Sequence, residues 1–83
     1  MKLYFIRFSS SEKGTWETKY PDTLEETKKL YKSLKRYNRR FRWLVEKADH
    51  VILPEEEWRE LDNLYDIDEE YDLDFDKIEI VEF

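Results

Sequence analysis

"TLEETKKLYKSLKRYNRRFRWLVEKA", Thr23 to Ala48, is the stretch on which the fold turns. Read as a helix at 100° per residue, it places Leu24, Thr27, Leu30, Tyr31, Leu34, Tyr37, Phe41, Leu44, Val45 and Ala48 on one side. Lys28, Lys32, Lys35, Arg36, Arg39, Arg40 and Arg42 fall mostly on the other. A phase held from 24 to 48 favours one long amphipathic helix. The alternative ends the helix at Asn38 and leaves "RFRWLVE" as a strand. Thr23 and Glu26 have the spacing of a reciprocal capping box, which sets the start. Trp43 breaks the pattern by projecting from the basic face, one turn from Arg39, Arg40 and Lys47.

Upstream, "KLYFIRF" and "TWETKY" flank "SSSEKG", whose Gly14 can adopt a positive φ. This predicts an N-terminal β-hairpin with a six-residue loop. Pro21-Asp22 separates the hairpin from the long helix. Downstream, "VIL" (Val51 to Leu53) has the length of a buried strand. Pro54 suits a first helical position, and Glu55 to Glu57 suit the positive end of the dipole. A second, short helix at about 54 to 65 follows, with Trp58, Leu61, Leu64 and Tyr65 as its buried stripe. "KIEIVEF" closes the chain as a strand. The expected fold is α+β. A small antiparallel sheet, made of the hairpin and the C-terminal strand, packs on the long helix and the second helix in a single domain, 1–83.

Composition narrows the function. The absence of cysteine excludes disulfides and thiolate metal sites and points to a reducing compartment. Fourteen aromatic residues supply core material in a chain with one glycine and two prolines. No apolar run reaches membrane-spanning length, and the N-terminal stretch is too short and interrupted for a signal peptide. A cytoplasmic, non-membrane protein is expected. The net charge of −6 conceals a split: residues 1–45 hold twelve Lys/Arg against five Asp/Glu (+7), and residues 46–83 hold three against sixteen (−13).

Catalytic chemistry has little to stand on. His50 is the lone histidine, the serines of the hairpin lack a nucleophile-elbow context, and one glycine cannot build a phosphate loop. "DIDEEYDLDFDK" opens like an EF-hand loop but holds Tyr71 where Gly is needed and Lys77 where a bidentate Glu is needed. No enzyme, metal or cofactor is expected.

Two charged surfaces remain. In "DIDEEYDLDFD" every even position is acidic: Asp66, Asp68, Glu70, Asp72, Asp74 and Asp76. On an extended segment these would form a row at roughly 6.8 Å intervals, backed by Ile67, Tyr71, Leu73 and Phe75. Glu55, Glu56, Glu57 and Glu60 would extend it. Such a row suits a protein groove made for phosphates. The second surface is the basic helix face of Arg36, Arg39, Arg40 and Arg42 with Trp43, able in principle to hold phosphate and stack a base. Net negative charge disfavours that use.

In composition, and across residues 55–76, the chain resembles the small acidic DNA-mimic inhibitors of phages and mobile elements, the anti-CRISPR and anti-restriction class. The resemblance implies a phage-type, non-enzymatic inhibitor that binds a partner protein with a basic nucleic-acid groove, such as a host defence nuclease. The alternatives are a nucleic-acid-binding module using the Trp43 face, and a homo-oligomer joining the acidic surface of one copy to the basic helix of another.

Overall fold

The computed structural model describes every residue, Met1 to Phe83, and the fold is α+β. The elements are β1 (Tyr4–Ser10), β2 (Gly14–Glu17), α1 (Leu24–Ala48), α2 (Glu55–Tyr71) and β3 (Lys77–Glu82). The sheet is antiparallel in the order β2-β1-β3. Close contacts sort the chain into two compact units: Met1–Lys35 with Phe75–Phe83, and Arg36–Asp74.

The first unit holds the sheet and the opening turns of α1. β1 is central, and its even residues Ile6 and Phe8 are fully buried. Phe8 stacks on Trp16 with 4.1 Å between ring centroids and meets Phe75 edge-on at 5.7 Å. The hairpin is tighter than expected. β1 runs through Ser9 and Ser10, and three residues, Ser11 to Lys13, make the turn. Ser10 Oγ accepts the Glu12 and Lys13 N–H groups, and Gly14 sits at φ 84°, so pairing continues to Ser10↔Gly14. At the other end of β2, Thr18 extends the pairing: its N–H bonds to the Ile6 carbonyl, and its hydroxyl accepts the Ile6 N–H.

α1 is one helix of 25 residues and passes straight through Asn38. The Asn38 amide donates to the Leu73 carbonyl, so a residue that could have stopped the helix instead tethers a distant segment. At the N-terminus, Thr23 Oγ1 accepts the Glu26 N–H at 3.3 Å. The reciprocal half of the capping box is absent, because the Thr23 N–H is taken by Asp22 Oδ1 at 2.7 Å.

In the second unit, α2 begins after Pro54, which occupies the cap position. It runs six residues past the expected end near 65 and has 17 residues. The reason is legible in the burial pattern. Leu61 and Leu64 are buried, and Ile67 and Tyr71 are partly covered, at spacings that keep them on one helical face. Ile67 and Tyr71 therefore extend a helical stripe and do not back a strand. Trp58 and Tyr65, expected in that stripe, lie half-exposed beside it. "VIL" is not a strand. The Val51 N–H closes the end of α1 on the Lys47 carbonyl, Leu53 alone is buried, and Val51 and Ile52 face solvent. No helix is long and apolar enough to cross a membrane.

Candidate functional site

The acidic stretch is mostly helix, which rearranges its charges. At 3.6 residues per turn, Asp66 and Glu70 share a side while Asp68 points away from them. The expected extended row of alternating carboxylates is thus replaced by a helical sorting into inward and outward acids.

One set of acids, some covered and some at the surface, is taken up by partners within the fold. Arg40 donates from Nε to Glu60 Oε2 at 2.6 Å and from Nη2 to Glu60 Oε1 at 2.9 Å, a two-pronged bond between α1 and α2. Glu57, better covered than Glu60, accepts from Lys47 Nζ at 2.7 Å and lies 3.8 Å from Arg40. The hydrogen bond from Arg40 holds the Glu60 carboxyl below its usual range, against a smaller opposing effect of burial, and Glu60 in turn raises the Arg40 guanidinium. Asp68 Oδ1 accepts the Leu73 N–H at 2.6 Å. Asp72 closes α2 with a positive φ of 60°, its N–H on the Asp68 carbonyl and its side chain accepting the Asp74 N–H. Asp74 lies 3.5 Å from Arg42. Asp76, in the first unit, accepts the Ser11 N–H at 2.8 Å and steadies the hairpin turn. Asp68, Asp72, Asp74, Asp76, Glu57 and Glu60 therefore have structural work of their own.

The outward acids are a different set. Glu55 pairs with Arg59 one turn on, at 2.7 Å. Glu56, Asp62, Asp66, Glu69 and Glu70 are exposed, and none of the chain's ion pairs includes them. Asp66, Glu69 and Glu70 lie four, seven and eight residues beyond Asp62, offsets that keep all four on one side of the helix. Their rise is about 12 Å, close to one charge per 4 Å of axis. Burial pushes the neighbouring Tyr71 phenol up, and Glu70 adds to the effect. Asp62 and Glu69 escape a period-two reading. The signal that finds them is the helical phase set by Leu61 and Leu64, which turns Asp62 and Glu69 away from the buried side.

The basic face is likewise thinned. Arg36, Arg39, Arg40 and Trp43 line a shallow, open depression of about 400 Å³. Arg40 is committed to Glu60 and Glu57, and Arg42 to Asp74. Trp43 is half-exposed, with the Arg40 guanidinium 4.6 Å and the Lys47 ammonium 4.9 Å from its ring centroid. Those two cations also hold Glu57 and Glu60, so Trp43 belongs to a clamp between α1 and α2. Arg36 lies over the Tyr37 ring, and Arg39 is exposed. Nowhere do three carboxylates or a histidine converge to hold a metal ion.

Comparison with protein-family models, curated proteins and solved structures finds no match to this chain.

Proposed function

We propose that this chain is a non-catalytic inhibitor that binds a partner protein, its outward carboxylates standing where nucleic-acid phosphates would lie in a basic groove. The observation that carries the reading is the helical stripe of Asp62, Asp66, Glu69 and Glu70, exposed and outside the ion pairs. One strand of duplex DNA presents a phosphate per about 3.4 Å of rise, so the two charge densities are comparable. A helix also holds its charges in fixed places, which a solvated loop would not. The clamp of Arg40 and Lys47 on Glu57 and Glu60 fixes that helix on α1.

The contact set differs from one drawn on an extended chain. Glu56, Asp66 and Glu70 remain in it, and Asp62 and Glu69 join it. The test is capture from the native host on wild type and on Asp62→Asn/Asp66→Asn, followed by purification of whatever the wild type alone retains. That protein should bind DNA or RNA and the inhibitor in mutual exclusion. Its association with the Asn pair should be slower, with a difference that shrinks as salt rises. Simultaneous binding of nucleic acid and inhibitor would end the mimic reading.

A second reading is favoured by the depression at Arg36, Arg39 and Trp43, which could take a single-stranded nucleic acid. A single-stranded oligonucleotide that quenches Trp43 emission in wild type, and not in Arg36→Ala/Arg39→Ala, would favour it.

A further inference from the structure

The link between α1 and α2 exposes apolar side chains that the rest of the chain covers. Ile52 is 93% exposed and Val51 51%, while Leu53 beside them is 3% exposed. Trp58, on the second turn of α2, is 44% exposed. Single exposed apolar residues are ordinary on protein surfaces. Two consecutive β-branched residues at the tip of a helical hairpin, with a tryptophan six positions on, make a denser feature.

The tip is also held in shape. The His50 and Val51 N–H groups bond to the Lys47 carbonyl at 3.0 Å, and the Glu57 and Trp58 N–H groups bond to the Pro54 carbonyl at 3.0 Å. Leu53 anchors the middle by burial. An apolar group presented on a fixed loop loses little conformational freedom on binding. Exposed carboxylates flank it: Asp49 on one side and Glu56 on the other, with Glu55 held by Arg59. Those flanking charges repel an anionic lipid surface and match a basic protein. Three side chains fall short of the ~800 Å² per partner that a stable dimer needs, so a pairing of two tips is disfavoured.

We infer that Val51, Ile52 and Trp58 form an apolar anchor that inserts into a hydrophobic socket at one end of the partner's basic groove. The inference rests on the acidic-face reading above and adds to it a division of labour. Charges on α2 govern encounter, and the tip governs how long the complex lasts.

The test needs no identified partner. A displayed library of random short peptides is panned on the wild-type protein, and selected peptides are synthesised and titrated against variants. Ile52→Asp is the main variant, since a side chain so exposed can change without disturbing the fold, which circular dichroism checks. The expected peptides combine Lys or Arg with Leu, Phe or Trp, and lose at least about tenfold in affinity on Ile52→Asp. That loss should lie in the dissociation rate, whereas Asp62→Asn/Asp66→Asn should slow association. Basic peptides that need Asp62 and Asp66 but bind Ile52→Asp like wild type overturn the anchor and leave the acidic-face reading standing. Peptides that lack Lys and Arg, and ignore the Asn pair, overturn the acidic-face reading and the anchor with it. No enrichment on wild type over Ile52→Asp also overturns the anchor.

Discussion

Arg40 on α1 grips Glu60 on α2 through two hydrogen bonds of 2.6 and 2.9 Å, twenty residues apart in sequence. The same guanidinium covers Trp43, and Glu57 joins Arg40 to Lys47. Four charged residues and Trp43 thus act together as a clamp between two helices. The clamp leaves the opposite side of α2 free to carry unpaired acid.

The clamp has a pH signature. Glu60 is held below its ordinary value of 4.5, so its contribution to stability is present above that pH and is lost as pH falls through its lowered value. The melting temperature of Glu60→Gln should therefore lie below that of wild type at neutral pH and converge with it in acid. Thermal unfolding followed by circular dichroism across that range checks this. A gap that persists at low pH would assign the effect to packing. Combining Glu60→Gln with Arg40→Ala should cost less than the two changes taken separately, because each already breaks the same bond.

The length of α1 is tested by two substitutions on opposite faces. Leu34 is fully buried, so Leu34→Asp places an unpaired charge in the core and should cost several (~3 or more) kcal/mol. Lys32 is exposed, and Lys32→Asp should change stability by less than ~1 kcal/mol. Urea denaturation of both variants decides the matter, and equal losses would contradict the assignment of faces.

Asn38 is expected to matter through Leu73 and not through helix propensity. Asn38→Ala improves the propensity of α1 but strips the Leu73 carbonyl of its donor. The net change should be a destabilisation of about 1 kcal/mol. Hydrogen exchange should show the loss concentrated at residues 72–74, with the middle of α1 still protected.

Asp72 ends α2 at a φ of 60°, a conformation that costs a β-branched residue dearly. Asp72→Gly relieves that constraint while giving up the bond to the Asp74 N–H, so its stability should stay within ~1 kcal/mol of wild type. Asp72→Val should lose about 1–2 kcal/mol. If Gly and Val behave alike, the positive φ is not what selects Asp here. Neither change touches Asp62 or Asp66, so binding through the outward face of α2 should survive both.

Much of this protein is written in local pattern. The period of Leu34, Phe41 and Leu44 specifies the long helix, and the alternation about Ile6, Phe8 and Ile78 specifies buried faces of strands, because burial selects a single phase in each element. The acidic stretch was ambiguous for a physical reason. Ile67, Tyr71 and the carboxylates around them fit both a period of two and a period of 3.6 over so short a span. Only helical continuity with Leu61 and Leu64 selects the second. Charge partners were beyond any local reading. Arg40 meets Glu60, Arg42 meets Asp74, and Asn38 meets Leu73 across 20 to 35 positions, and the sequence alone leaves every Arg and every acid equally available. Tertiary packing settled which charges neutralise each other and which stay exposed. It also turned Val51 and Ile52 outward, since closing α1 on Lys47 and starting α2 at Pro54 left room to bury Leu53 alone.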